Sequence, residues 1–556
     1  MTVVPVETQK PAVSPAPAPL ANRLLIWLLA ACMALGLYLR FRGLSLPPYD
    51  NHSFRQCQTL STIESFYRNG IDLLRPRALY MGYPGTFVLE LPLFQALAAS
   101  LYHLFGPHIE VVRLLNICFG ALSTWLLYLL GARYFTAKTG LLAAAIYWLA
   151  PLNVVYQRSM LLDPMAIACA LVCFYSLARL LEFPGSAGVL AGNGFGPQTE
   201  PLAGGDAGAP RYVLFATLFF LSCILTAFIK PLYLWPAVLL FGWLFLKRGL
   251  RFDSRVLLIG AIFAVGVVCV LAWNHHTTIV NSESPITRGS DVAAHLGLGA
   301  LFKPAFWKLM LVSRPKWWIG PLPVLFYTLG LFACVSGMVH VLRQTSIAGF
   351  SQRVVAASNF FLVVALIPPT YLLLFANINF PHEYYQLVIT PFLALVAAEG
   401  LMWLAAKFPK WPATNFGSIP AAATALILLT SFAVCVLWLK LPRLNPDVLK
   451  FKKVCADKFE PWSPGMLFAS PEVTGQAEHT YMPAYLYAAR LWGYGWVVNA
   501  STDAKPVFEE MSPGFTRLDY LVFYGLTRPE WVPPDQFRPI LQNDIDKLFV
   551  FKALTR

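Results

Sequence analysis

Charge is what this chain has least of. Only 13% of its 556 residues are Asp, Glu, Lys or Arg, against about 25% in a soluble globular domain. Acidic residues are rarer still before residue 440, because thirteen of the 28 fall in the last fifth of the chain. The ten cysteines form no CxxC pair and no zinc spacing. Most, such as Cys32, Cys169, Cys173 and Cys269, sit in apolar stretches and read as small core hydrophobes. Cys57 and Cys455 lie outside those stretches, and no spacing calls for a disulfide between them. There is no isolated basic tract, so the net charge of +14 is not a nucleic-acid footprint. The positive residues sit in short loops between apolar runs, which suits anionic head groups or a phosphorylated lipid. No small-residue cleavage site follows Leu24–Leu37; Arg40 and Arg42 do, so this segment reads as a first span and not as a signal peptide.

Apolar sequence is what the chain has in excess, at 57% of residues. Stretches of about 18–20 apolar residues, enough to cross a bilayer core of roughly 30 Å, recur along the first 440 positions. Twelve candidates follow: 24–40, 86–105, 112–131, 140–157, 164–182, 211–229, 231–247, 256–273, 320–342, 355–376, 386–406 and 418–439. The positive-inside rule orients them. Lys247, Arg248, Arg251 and Arg255, against a lone Asp253, place one short loop in the cytoplasm; Arg343 with Arg353, and Lys407 with Lys410, place two more. Counting from these loops puts 274–319 and everything after 440 outside. Counting backwards puts Lys230, the Arg158–Asp163 turn and Arg113 outside as well. The loop at Asp50 joins them if the N-terminal tail is cytoplasmic. These placements agree only if 86–105 does not cross. It is the weakest candidate, carrying Glu90, Pro92, Gln95 and His103, and reads as a re-entrant or interfacial helix.

The expected fold is a polytopic α-helical membrane protein of about 11–13 spans with a small C-terminal soluble α/β domain on the outer face. Residues 1–22, rich in Pro, Ala and Val, read as a disordered cytoplasmic tail. Residues 23–440 form the transmembrane domain, with a first outer loop 41–111, a flexible Gly/Pro/Ala-rich cytoplasmic linker 183–210 and an outer loop 274–319. Residues 441–556 form the outer domain, where the short apolar runs Met466–Ser470, Trp496–Asn499, Tyr520–Tyr524 and Leu548–Phe551 read as strands and Tyr481–Trp492 as a helix.

Ionisable groups at membrane depth are costly and tend to mark function. Asp50 opens YDNHSFRQCQTLSTIESFYRNG, in which Arg55, Gln58, Thr59 and Thr62 recur at i, i+3, i+4, i+7 and share one face of a helix. The plain alternative is that Asp50 caps this helix and its polar face is solvated. Glu90 lies in LELPLF. Arg113 stands at the mouth of the next span, where an arginine can simply snorkel. Arg158 and Asp163, in QRSMLLDP, flank a tight turn; their plain reading is a local ion pair with Asp163 capping the next helix. Lys230, in FIKPLY, sits at a break between short spans. The loop 274–319 carries Arg314 among several bases and tryptophans, and NFPHEYYQL brings His382, Glu383, Tyr384 and Tyr385 to the start of another span, where the tyrosines fit an aromatic belt that does not call for the adjacent His–Glu. The spacings His52…His103 and His275–His276 fit no zinc template. No cofactor is demanded, and a divalent metal is left open. A carboxylate beside several cations on one face suits a lipid-borne phosphate held by Arg and Lys. The carboxylate would take the proton from an attacking hydroxyl, and the cations would stabilise the leaving phosphate.

At DNHSFRQCQT, LELPLFQALAASLYHLFG, VVRLLNICFGA, RSMLLDP and HEYYQLVITP the chain resembles the GT-C superfamily, specifically the bacterial branch of glycosyltransferase family 39. That branch is similar to protein O-mannosyltransferases and lipid A aminoarabinose transferases. The resemblance covers residues 24–440 and rests on the order and spacing of short motifs. It implies a polyprenyl-phosphate sugar as donor and an inverting direct displacement. The acceptor would be a glycan, lipid A or a protein, met on the outer face of the inner membrane. By position it implies Asp50 as the catalytic carboxylate, and Arg113 and Lys230 match basic residues of the family; read with the charge pattern, Arg55, Arg113, Lys230 and Arg314 are expected to bind the carrier phosphate, and Glu90, Arg158, Asp163, His382, Tyr384 and Tyr385 to lie around the sugar or acceptor. Two departures stand out: Asn51 follows Asp50 where the family often has a second acidic residue, and Leu91 follows Glu90 where the aminoarabinose transferases have a lysine. Phosphate binding then falls to other bases, Arg55 or the 274–319 loop. Two alternatives remain: a ligase or polymerase acting on lipid-linked oligosaccharides, and a non-enzymatic transporter of lipid-linked sugars.

Overall fold

The computed structural model describes residues 19–79, 82–83, 85–181, 205–247, 253–282, 298–343, 360–407, 419–438, 444–455, 458–474, 482–515 and 517–554. Most of the expected N-terminal tail, most of the linker 183–210, the middle of the loop 274–319, and Arg248, Arg251, Arg353 and Lys410 lie outside the described residues.

Apolar runs fold as helices here because a helix satisfies its own backbone N–H and C=O groups, which hydrocarbon cannot do. The described chain forms α1 (Pro19–Phe41), α2 (Ser53–Asn69), α3 (Leu93–Phe105), α4 (Ile109–Tyr134), α5 (Ala137–Leu149), α6 (Pro151–Tyr156), α7 (Asp163–Leu180), α8 (Gly205–Ile229), α9 (Trp235–Lys247) and α10 (Ser254–Ser282). It continues through α11 (Pro321–Arg343), α12 (Phe360–Leu374), α13 (Thr390–Lys407) and α14 (Ile419–Phe432). Among the described residues five helices are long and apolar enough to cross a membrane: Ile109–Tyr134, Asp163–Leu180, Arg211–Ile229, Ser254–Ser282 and Glu383–Ala405. Shorter apolar helices, including α3, α5 and α12, fill out the bundle.

The helices depart from the expected spans in informative ways. The run 140–157 breaks at Pro151, which has no N–H to continue the ladder of α5 and instead opens α6. The run 231–247 begins with a 3₁₀ turn, Pro231–Leu234, and 386–406 with another, Glu383–Ile389. These two turns bring Lys230 and Glu383 to helix mouths. The loop 274–319 begins as helix, because α10 runs on through NHHTTIVNS with no breaker. Glycine lets neighbours approach closely: a Cβ on Gly140 of α5 would lie 2.6 Å from the Tyr128 carbonyl of α4. Large apolar side chains such as Trp27, Leu104, Leu257, Val268 and Leu271 are exposed on the outside of the bundle, as lipid-facing positions are.

After α14 the chain builds a five-stranded sheet in the order β2-β1-β3-β5-β4. The strands are β1 (Ser463–Ala469), β2 (Leu491–Val497), β3 (Tyr520–Tyr524), β4 (Phe537–Asn543) and β5 (Leu548–Ala553). β1 runs parallel to β2 and β3, and β5 antiparallel to β3 and β4. β2 occupies the end of the stretch expected to be one helix, Tyr481–Trp492, whose helix stops at Ala489 with Arg490 in the left-handed region. β4 was not expected: FRPILQN is a mostly exposed edge strand with a bulge between Pro539 and Leu541, so it carries no apolar run. The sheet does not stand apart from the bundle. One of its faces shares a core with the first loop, where Tyr49, Cys57, Ala78 and Leu79 pack with Phe451, Leu467, Tyr485 and Val522. Backbone bonds tie the two together: Asn445 N–H donates to Tyr49 O at 2.6 Å and Gly493 N–H to Leu79 O at 2.8 Å. Cys57 and Cys455 are both buried in this shared core as free thiols.

Candidate active site at the mouth of the bundle

The first loop leaves α1 through Gly43 and Leu44, reaches Asp50, and turns into α2 at His52. His52 holds the N-cap position with φ 53°, a left-handed backbone uncommon for a side chain other than glycine. Asp50 is therefore not the helix cap. Its Oδ1 accepts from Gln56 Nε2 at 2.5 Å and its Oδ2 from Arg158 at 2.9 Å. The Arg158 and Asp50 side chains are only 3% and 9% exposed, so this is a buried ion pair spanning 108 residues of chain. Arg158 donates as well to the Arg42 carbonyl, and burial holds its guanidinium below the ordinary range despite the opposing pull of Asp50. The expected local pair of Arg158 with Asp163 is not formed, and Asp163 does not cap α7, whose N-cap is Leu162.

Asp163 belongs to a second group. Lys230 lies 3.0 Å from Asp163 and 4.0 Å from Glu90, and Arg55 lies 2.9 Å from Glu90. Tyr233 donates its hydroxyl to Asp163 at 2.8 Å. The Lys230 ammonium stands over the rings of Tyr385 and Tyr384, at 4.0 and 5.0 Å from their centroids. Lys230 is thus no lone interfacial lysine; it is 3% exposed and ringed by two carboxylates and two tyrosines. Burial alone would raise the Glu90 carboxyl, but Arg55 and Lys230 outweigh it and hold the group below the usual carboxylate range. The face of α2 that the sequence singles out, Arg55, Gln58, Thr59 and Thr62, is not solvated. It lines a small polar cavity together with Glu90 and Gln95.

A third group closes the site. His52 Nε2 and Tyr156 Oη each lie 3.0 Å from Glu383 Oε1. The His52 ring sits edge-on to Tyr384 at 5.1 Å, and His382 is tilted against Tyr384 at 5.3 Å. Burial, then the neighbouring His52 and Arg55, push His382 down to about 4. Glu383, noted in the sequence beside His382, completes the site, as do Gln56, Tyr156, Tyr233 and His52, which were not singled out as site residues. Their signal was adjacency in sequence, since each stands within six residues of a predicted one. Two predicted phosphate ligands are held elsewhere. Arg113 is buried and donates to the Gly43 and Leu44 carbonyls at 2.6 and 2.7 Å, bracing the turn that leads to Asp50. It does not snorkel. Arg314 donates to the Asn379 and Phe380 carbonyls. Among the described residues no group of three or more His, Cys, Asp or Glu side chains is arranged to hold a metal ion.

Residues 90–197 match the model of the dolichyl-phosphate-mannose-protein mannosyltransferase family. Among curated protein sequences none matches. The fold is that of solved GT-C membrane glycosyltransferases. ArnT from Cupriavidus metallidurans in the apo state matches with a TM-score of 0.58 at 12% identity, over 96% of this chain and 98% of that one. The same protein bound to undecaprenyl phosphate matches with a TM-score of 0.57 at 11% identity, over 95% and 98%. The archaeal oligosaccharyltransferase AglB from Archaeoglobus fulgidus, in complex with an inhibitory peptide and a dolichol-phosphate, matches with a TM-score of 0.54 at 10% identity, over 91% and 70%.

Proposed function

We propose that this protein transfers a sugar from a polyprenyl-phosphate carrier to an acceptor hydroxyl or phosphate on the outer face of the membrane. One observation carries the reading. On the fold of proteins solved with undecaprenyl phosphate and dolichol-phosphate, four chain segments bring three carboxylates and three cations into three ion pairs, two of them buried and the Arg55–Glu90 pair half-buried. Ionisable groups at membrane depth are costly, so their gathering in one place points to use. Arg55 and Lys230 supply positive charge for the carrier phosphate. Asp50 is the base. Arg158 and Gln56 fix its two oxygens, and each oxygen keeps a lone pair for an incoming proton. The acceptor oxygen attacks the anomeric carbon as the bond to the phosphate oxygen breaks, with inversion. The proton passes to Asp50 and the electron pair leaves on the phosphate, which the cations stabilise. Arg113 and Arg314 act by bracing backbone.

Proteoliposomes given a labelled polyprenyl-phosphate sugar test this by release of the free carrier. Asp50→Asn should lower release by about 10²–10⁴-fold while undecaprenyl phosphate still binds; full activity in that variant would sink the assignment. The likeness to AglB favours one competing reading, transfer of a lipid-linked oligosaccharide by bases of the 274–319 loop, Arg314 among them. There Arg314→Ala, not Asp50→Asn, would abolish transfer. A transporter would move the intact carrier lipid across the bilayer in either variant.

A further inference from the structure

Of the charged groups at the bundle mouth, the most accessible belong to the third cluster. The His52 and Glu383 side chains are 24% and 33% exposed, against 9% for Asp50 and 3% for Arg158, Lys230 and Asp163. The arrangement is built. Glu383 Oε1 is shared by His52 and Tyr156 at 3.0 Å each. Two tyrosine rings stand around the pair, with His52 centred 5.9 Å from Tyr156 and 5.1 Å from Tyr384, and Tyr156 6.2 Å from Tyr384. His52 is also two residues from Asp50, so their Cα atoms are at most roughly 7 Å apart. The left-handed backbone at His52 turns its ring to Glu383 instead of along α2. Strain of that kind persists where the surrounding structure fixes it for a use.

Resting on the reading of the protein as a sugar transferase, we propose that His52, Glu383, Tyr156 and Tyr384 form the acceptor subsite, and that it takes a neutral, hydroxyl-bearing acceptor in preference to a phosphorylated one. A carboxylate oxygen accepts from hydroxyls, and an imidazole nitrogen donates or accepts. Tyrosine faces cover the C–H surface of a sugar ring. A phosphate at the same place would meet the Glu383 carboxylate at hydrogen-bond distance. Arg158, Lys230 and Arg55 each face a carboxylate of their own, whereas Glu383 is paired with His52. The subsite thus selects among the acceptor classes that the transfer reaction admits, and it places the selected hydroxyl beside Asp50.

The test is saturation-transfer NMR on the full chain in nanodiscs, with methyl α-mannoside and mannose 6-phosphate methyl glycoside as probes. Undecaprenyl phosphate is titrated into the same sample. The wild type should saturate the neutral glycoside at least five-fold more strongly than its phosphate. Glu383→Gln should narrow that ratio to near one by admitting the phosphate, and His52→Asn should weaken the neutral glycoside, both with carrier binding unchanged. Equal saturation of the two probes by the wild type, or a ratio unmoved in Glu383→Gln, overturns the subsite. Loss of carrier binding in the wild type instead overturns the transferase reading, and the probe ratio still decides the subsite on its own.

Discussion

Arg158 and Asp50 neutralise each other inside the protein, and the consequence can be measured one side chain at a time. Removing one member of a buried pair leaves the other charge without a partner, at about 3–5 kcal/mol. Arg158→Ala should therefore lower the unfolding temperature sharply, while the doubly neutral Asp50→Asn/Arg158→Met should recover most of the loss. Equal damage in the single and double variants would mean the pair is not coupled. His382 gives a pH-dependent counterpart. Its folded value is pushed from 6.5 to about 4, so between those limits the unfolded chain binds the proton more readily. Stability at this residue rises with pH across that window and is flat above it. His382→Asn should flatten the slope of unfolding temperature against pH between about 4 and 6.5; an unchanged slope would assign it to other groups.

Among the elements, α3 bears most on topology. Its 13 residues span about 20 Å, short of a hydrocarbon core of roughly 30 Å. A reporter fused after Pro107 should accordingly report the same side as one fused at Asp50, and opposite sides would move Arg113 and Lys230 away from the first loop's face. The α4–α5 contact depends on missing side chains. A Cβ at Gly140 would press on the Tyr128 carbonyl and on Ala132 N, at 2.6 and 2.7 Å, both backbone atoms that cannot swing aside. Gly140→Val should cost about 1–3 kcal/mol, read as a lower unfolding temperature in detergent, whereas the same change at Gly242, which has open space around it, should cost little.

At the scale of the molecule, the sheet and the first loop are one structural unit. Tyr49, the residue before Asp50, is buried at 2% and its carbonyl is bound by Asn445. Leu79 is bound by Gly493, and Tyr83 bridges to Phe515. A chain ending at residue 440 should keep its helical bundle yet release this loop. Limited trypsin should then cut after Arg77 many-fold faster than in the full chain, and transfer should be lost along with it. Unchanged cleavage would show that the loop holds itself.

Periodicity and composition were enough for the membrane bundle, the polar face of α2, the break before Lys230 and the presence of a sheet near the end. Each of these is a local property: an apolar run long enough to need a helix, a 3.6-residue repeat, a proline without its N–H. Sequence order also brought Asp50, Glu90, Asp163 and Lys230 into view, because charge is so scarce in this chain that each residue could be weighed singly. What it left undecided was partnership. Asp50 and Arg158 are separated by 108 residues and His52 and Glu383 by 331. Whether a carboxylate caps its own helix or pairs across the bundle depends on which helices pack, and that packing is set by the summed contacts of side chains far apart in the chain. The same holds for β4, whose exposed edge buries too little to mark the sequence. Scarcity of charge thus pointed to the residues that matter, and only the tertiary structure decided which of them act on one another.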